Sequence, residues 1–210
     1  MGRGILTKSS YDKPIKVPAT VYILIGGESK RFGSPKWQAV INGQTVLDRI
    51  WNTCDRFEKR FIIGKEKPDA LSYPFIKDEL DIQAPINGLY TALKNTKTDW
   101  ILLLSCDLPL IDSKVFQKLW DSKNEKCDAV IPKANGKIQV TCGLYHKRNL
   151  EKLETEIQNG NYSLIKPLEK INSTFIDFGD DQRLINMNTK KDMRAAEKIL
   201  ISKTFLQYNF

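Results

Sequence analysis

Short continuous apolar runs alternate along this chain with longer stretches in which apolar residues recur every three or four positions. The first pattern predicts buried strands and the second predicts amphipathic helices. Strands are expected over residues 20–25, 60–64, 73–77, 100–105, 128–132, 138–146 and 174–178. Helices are expected over 45–56, 84–95, 112–122, 147–159, 161–169 and 189–204. The run from Trp100 to Leu104 shows no polar alternation, which predicts a central strand covered on both faces. Pro85 suits the first turn of helix 84–95, where its missing N–H is not needed. In the last helix Met193, Ala196 and Leu200 share a face, and Asn188 or Thr189 can cap its start. Asp192 in its first turn favours the helix dipole. Strands alternating with helices predict an α/β fold: a three-layer αβα arrangement around a mostly parallel, Rossmann-like sheet. Residues 1–19 are polar, contain Pro14 and Pro18, and read as an extended N-terminal arm. A single domain then spans 20–204, followed by a C-terminal tail at 205–210.

Composition narrows the function. With 210 residues and 41% hydrophobic content, the chain can bury one sizeable core. No run is long enough to span a bilayer. The N-terminus has basic residues but no apolar core of a secretory signal, so no such signal is expected, and scattered cysteines read as reduced thiols of a cytoplasmic protein. Cys54, Cys106, Cys127 and Cys142 are scattered without a C-x-x-C pair, which argues against a zinc ribbon or disulfide framework. The net charge of +8 comes from lysines dispersed among Glu and Asp, a pattern of solvated surface. Those near a site could draw in polyanionic substrates. His146 is the single histidine, which excludes histidine-rich metal sites and makes a Ser-His-Asp hydrolase implausible. Aromatic residues are dispersed, without a base-stacking block, so no nucleic-acid partner and no membrane partner is expected.

Two blocks carry candidate chemistry. Leu24-Ile25-Gly26-Gly27-Glu28-Ser29-Lys30-Arg31-Phe32-Gly33-Ser34-Pro35-Lys36 follows the first strand. Glycines in such a turn let backbone N–H groups approach an anion, and Arg31 and Lys36 add fixed positive charge. A nucleoside triphosphate is the natural ligand. The stretch lacks the Walker Gly-Lys-Ser/Thr ending, and its glycines do not fit the dinucleotide fingerprint. The second block ends the central strand in Ser105-Cys106-Asp107-Leu108-Pro109. Asp107 therefore lies at the carboxyl edge of the sheet, where open α/β folds bind ligands. It offers Mg²⁺ a hard oxygen. Its rival role is as a helix cap, for which Asp112 or Ser113 is better placed. Cys106 reads as packing.

The first block resembles the signature LAGGxSxRMGxxK of the molybdenum cofactor guanylyltransferases, nucleotidyltransferases of the glycosyltransferase-A type. Leu24, Gly26, Gly27, Ser29, Arg31, Gly33 and Lys36 match at the same spacing, with Ile25 for Ala and Phe32 for Met. Cys106, Asp107 and Pro109 match the family's Cys-Asp-x-Pro. Asp78 precedes Pro85-Ile86-Asn87-Gly88 as an Asp precedes Gly-Pro-Leu-Ala-Gly, with Ala84 in place of the first Gly and Asn87 in place of Ala. Asp81 is a rival for that acidic role, and a solvated loop carboxylate is the plain alternative for Asp78. Asn186-Met187-Asn188-Thr189 resembles the family's Asn-x-Asn-Thr, although both Asn residues could serve only turns and caps. Gln139-Val140-Thr141-Cys142-Gly143-Leu144-Tyr145 resembles its strand around Gln-Pro-Leu, with Val140 for Pro.

The resemblance implies a nucleotidyltransferase sheet and transfer of GMP from GTP to the phosphate of the molybdenum-molybdopterin cofactor, with release of pyrophosphate. It implies nucleotide binding by Leu24, Ile25, Gly26, Gly27, Lys36, Asp78 and Asp107. Lys36, Arg31 and Asp107 would be the catalytic set, Asp107 the Mg²⁺ ligand, and Asn186 and Asn188 the pterin contacts. Other molybdenum cofactor biosynthesis proteins and acceptor molybdoenzymes would be further partners. Alternatives are a cytidylyltransferase, a sugar- or isoprenoid-phosphate nucleotidyltransferase of the same fold, and a non-catalytic nucleotide-binding regulator.

Overall fold

The computed structural model describes residues 16–26 and 32–208. Its main sheet contains β1 (Val17–Leu24), β4 (Phe57–Gly64), β5 (Phe75–Lys77), β6 (Trp100–Ser105), β7 (Ala129–Ala134), β8 (Lys137–Ile138), β9 (Cys142–His146) and β10 (Ser173–Asp177). A separate small hairpin is made of β2 (Val40–Ile41) and β3 (Gln44–Thr45). The helices are α1 (Val46–Thr53), α2 (Pro85–Asn95), α3 (Ser113–Asp121), α4 (Leu150–Gln158), α5 (Ile165–Glu169) and α6 (Lys190–Tyr208).

Spatially the strands run β10-β7-β9-β6-β1-β4-β5, with β8 continuing beside β7. The pairs β1–β4, β1–β6, β4–β5 and β10–β7 are parallel, while β9 lies antiparallel between β6 and β7. Alternation along the central strands sorts side chains into two apolar layers. Val21, Ile23, Leu102 and Leu104 face α1, α3 and α6, packing with Ile50, Val115, Leu119 and Ala196. Tyr22, Ile101 and Leu103 face α2, α4 and α5, packing with Ile86, Leu89, Leu153 and Leu168. Burial of each large aliphatic side chain contributes roughly 1.5–3 kcal/mol. The observed architecture is thus the expected three-layer αβα arrangement around a mostly parallel sheet.

Several boundaries differ from the sequence reading. The first strand begins at Val17, which pairs with Phe57, so residues 17–19 of the supposed arm belong to the sheet. The last helix continues to Tyr208, through most of the supposed tail. Residues 138–146 form two strands, because the Gln139 N–H donates to the Pro132 carbonyl and the Cys142 N–H to that of Gln139. This turn breaks the strand at 139–141. The stretch 147–159 opens with a tight turn at Lys147–Asn149, where His146 Nδ1 accepts from the Arg148 N–H at 3.1 Å, and α4 follows. The helix expected over 161–169 shortens to α5. Asn161 is used instead to close α4, donating to the Glu156 carbonyl beyond Gly160 at φ 73°.

Two hairpins escaped the periodicity because β2, β3 and β8 are only two residues long. Asn42-Gly43 joins β2 to β3 and Asn135-Gly136 joins β7 to β8, all four residues having positive φ. That is the type I′ geometry that Asn-Gly favours.

Gly143 in β9 shows how closely the layers fit. A Cβ there would lie 2.4 Å from Ile131 Cδ1 and 3.3 Å from the Val130 carbonyl oxygen. Overpacking of this kind costs about 1–3 kcal/mol. Gly143→Ala should therefore lower the urea midpoint of unfolding without changing the slope. A wild-type midpoint would contradict this account of the β6–β9–β7 packing.

Candidate active site

β1 has parallel partners on both sides. From β1 the chain continues outward to β4 and β5, then returns to place β6 on the opposite flank. The order of connection therefore reverses at β1 and β6, and ligands bind at such a switch beyond the strand carboxyl ends. Register makes those ends level: Leu24 lies opposite both Ile63 and Ser105. The Ile25 N–H donates to the Ile63 carbonyl at 3.0 Å, and the Asp78 N–H to the Gly64 carbonyl at 2.9 Å.

A cavity of about 790 Å³ opens there. Leu24, Ile25 and Gly26 line it from β1, Gly64 and Lys65 from β4, and Asp78 from the residue after β5. A Cβ on Gly26 would meet nothing within 4 Å, so the missing side chain leaves free space for a ligand. Gly88 behaves differently. A Cβ there would sit 2.6 Å from Leu24 Cδ2, so glycine is what lets α2 press against the cavity floor. Asp78 is half-buried; burial pushes its carboxyl above the usual carboxylate range, and the Lys65 cation partly opposes this. Asp81 is exposed and does not line the cavity, which favours Asp78 for the acidic position.

Beside the cavity stands a second group of predicted residues. Lys36 Nζ donates to Asn188 Oδ1 at 2.8 Å across 152 positions of sequence. The Cys106 N–H donates to the Leu24 carbonyl, and the Met187 N–H to the Asp107 carbonyl at 2.6 Å. Asp107 is thereby fixed between β1 and the segment before α6. Its Oδ1 is buried and has no hydrogen-bond partner among the described residues. Burial pushes the Cys106 thiol up, the Asp107 carboxylate adds to this, and Lys36 opposes it. A thiol so disfavoured as thiolate is a packing residue, as expected.

The alternative roles weighed for these residues are taken by others. Asp112 caps α3, accepting from the Lys114 and Val115 N–H groups. Thr189 caps α6: its Oγ1 accepts from the Asp192 N–H, while Asp192 accepts from the Thr189 N–H. Asn188 is therefore available to Lys36. Asn186 Nδ2 donates to Gln139 Oε1 at 3.4 Å, next to Thr141, which lines the cavity. Arg183 anchors this segment by bonding both the Asp112 and Asp181 carboxylates. His146 lies at the opposite edge of the sheet, opposite Trp100 at the start of β6.

Leu24, Ile25, Gly26 and Asp78 are thus gathered at the cavity, and Lys36, Asp107 and Asn188 form the adjacent cluster. Gly27 and Arg31 lie outside the described residues. Lys65 was missed. The signal for it was its position just past strand 60–64, the same edge rule that identified Asp107.

Comparison with known proteins places the chain in a family. Residues 21–171 match the family model of the MobA-like NTP transferase domain. A protein of Aquifex aeolicus named probable molybdenum cofactor guanylyltransferase is 36% identical, over 83% of this chain and 88% of that protein. A crystal structure of an Aquifex aeolicus protein superposes with a TM-score of 0.70 at 33% identity, covering 81% of this chain and 93% of the other. The fold is shared by molybdopterin-guanine dinucleotide biosynthesis protein A of Archaeoglobus fulgidus, with a TM-score of 0.75 at 23% identity over 87% of this chain and 99% of that one. By family match and by relatives over most of its length, the chain belongs to the MobA-like NTP transferases.

Proposed function

We propose that this protein transfers GMP from GTP to the phosphate of the molybdenum-molybdopterin cofactor. One observation carries the reading. Lys36 bonds Asn188 and the Asp107 carbonyl accepts from the adjoining Met187 N–H, so residues from separate parts of the sequence gather around one short segment beside an apolar-floored cavity at the switch point of the sheet. The name borne by the Aquifex aeolicus relative supports guanine as the base and molybdopterin as the acceptor.

In this reaction a phosphate oxygen of the acceptor attacks the α-phosphorus of GTP. A new P–O–P link forms, the bond to the bridging oxygen breaks, and pyrophosphate leaves with the electron pair. The attacking phosphate is already ionised, so no general base is required. Rate then depends on positioning and on neutralising charge. Leu24 and Ile25 floor the base and ribose site, and Gly26 with Gly27 opens backbone N–H groups to the nucleotide. Asp78 hydrogen-bonds the nucleoside. Lys36 holds a phosphate as a point charge, and Arg31 clamps the leaving pyrophosphate through its planar fork. Asn186 and Asn188 are the proposed pterin contacts.

The orphaned buried Oδ1 of Asp107 fits a hard cation such as Mg²⁺. No group of three or more His, Cys, Asp or Glu is gathered for a metal among the described residues. A single carboxylate suffices when substrate phosphates and water complete the shell. Bound there, the ion would polarise the phosphoryl oxygens. Molybdenum cofactor biosynthesis proteins and acceptor molybdoenzymes are its expected partners, in keeping with that product.

A turnover assay with molybdopterin cofactor, Mg²⁺ and either GTP or CTP tests the reading directly. Pyrophosphate release should be faster with GTP, since a base that leaves buried groups unpaired is rejected. Preference for CTP would move the protein to the cytidylyl branch, and binding without release would make it a regulator.

Lys36→Ala should fold normally and lose on the order of 10²–10³ in turnover, the usual effect of removing an electrostatic contact to developing charge. Near-wild-type turnover would remove Lys36 from the catalytic set. Asp107→Asn keeps the shape and removes the charge. It should show weakened Mg²⁺ dependence in a metal titration and lose most activity, while Asp78→Asn should be milder and raise KM for GTP. The reverse ranking would mean that the two carboxylates have exchanged roles.

A further inference from the structure

The wall of the cavity facing α2 is built from a segment with no regular secondary structure, running from Asp78 to Gln83. Asp78, Ile82 and Gln83 line the cavity. No backbone-to-backbone hydrogen bond involves Glu79–Gln83 among the described residues. The segment is held instead by side chains of α2. Asn87 Nδ2 donates to the Leu80 carbonyl at 2.6 Å and to the Ile82 carbonyl at 3.1 Å. Asn87 Oδ1 accepts from the Leu80 N–H at 3.2 Å. One helical turn on, Thr91 Oγ1 accepts from the Glu79 N–H at 3.0 Å and donates to Asn87 Oδ1 at 3.4 Å. Asn87 is 1% exposed and Thr91 fully buried. The Glu79 carboxylate adds contacts to Lys94 and Asn95 further along the same helix.

We propose that Asn87, backed by Thr91, is a positioning residue for the nucleotide site, acting through the Asp78–Ile82 segment. The inference rests on the functional reading above. The Asn87 amide satisfies an N–H and two carbonyls that lie between two cavity-lining residues. No aliphatic side chain can do this, and Ala stands at the matching place in the motif that this stretch resembles. Loss of one buried partner leaves backbone groups unsatisfied, and they recover hydrogen bonds only by moving toward water. Such a movement displaces Asp78 and Ile82, and so alters the shape of the cavity. Asn87 is buried and does not line the cavity, so its removal should weaken ground-state and transition-state binding of nucleotide alike.

The test compares the wild-type enzyme with Asn87→Ala, Thr91→Val, Asp78→Ala and the double variant Asn87→Ala/Asp78→Ala. It measures KM and kcat with whichever of Mg²⁺–GTP or Mg²⁺–CTP the wild type prefers, well below every melting temperature. Asn87→Ala should raise the nucleotide KM on the order of tenfold, which corresponds to about 1.4 kcal/mol. Its kcat should stay within about twofold, as expected for lost uniform binding. Its KM for molybdopterin cofactor should be unchanged. In the Asp78→Ala background the same substitution should matter less, since the two act through one contact. Thr91→Val should shift the nucleotide KM in the same direction by a smaller factor, and it decides the case if Asn87→Ala fails to fold. A lowered melting temperature with wild-type nucleotide KM would make the network purely structural and overturn the proposal. So would full additivity with Asp78→Ala. A wild-type protein that turns over neither nucleotide would overturn the functional reading itself, and this inference with it.

Discussion

The position of β1 between two parallel partners is the constraint on which the rest depends. The strand is hydrogen-bonded along both edges, to β4 and β6, and is apolar on both faces. A slip of one residue would turn Tyr22 into the layer of Val21 and Ile23, exchanging every contact with the helices. Register is therefore strongly specified. Everything at the site is referenced to it: the Leu24 carbonyl holds the end of β6, the Ile63 carbonyl holds Ile25, and the next residue of β4 holds Asp78. Functional groups carried by irregular backbone inherit precision from a strand that cannot move.

The site itself divides into two parts with different physics. Leu24, Ile25 and Gly26 provide an apolar surface and open space, suited to excluding water from a base and sugar. Lys36, Asp107 and Asn188 provide charge and directed polarity beside it. The second part is assembled from residues far apart in sequence, so its geometry depends on anchoring. The Asp107 carbonyl accepts from Met187, Thr189 and Asp192 cap α6, and Arg183 joins the Asp112 and Asp181 carboxylates. Arg183 is only partly exposed and its contacts are charge-assisted forks, the geometry in which such pairs hold a segment in place.

What was legible in the sequence follows the same physics. The central strands were readable because burial on both faces leaves an uninterrupted apolar run, as from Trp100 to Leu104. Asp107 was readable because the end of such a run is also the edge of the sheet. Elements at the periphery were harder. Residues 138–146 look like one strand by composition, yet Gln139 is drawn into the hairpin with Pro132 and the Cys142 N–H closes a turn on the Gln139 carbonyl. The start of α5 depends on how Asn161 closes α4. The Asn-Gly hairpins carried a local signal, but β2, β3 and β8 are too short for any period. Asn87 showed only as a departure from the motif's Ala; its role could not be read, since its partners are backbone groups of a neighbouring segment and leave no side-chain signature.

The four cysteines carry a different consequence. Cys54, Cys106, Cys127 and Cys142 are all free and buried, two of them in or beside the strands that frame the site. Burial holds the thiols of Cys54, Cys106 and Cys142 far from ionisation. A thiol-directed reagent reacts with thiolate, and only where it can reach it. The folded chain therefore shields these sulfurs, and modification has to wait for local opening. Cys106 and Cys142 thus act as native clocks for the sheet edge that bears the site: the pace at which they become reactive is the pace at which that edge comes apart.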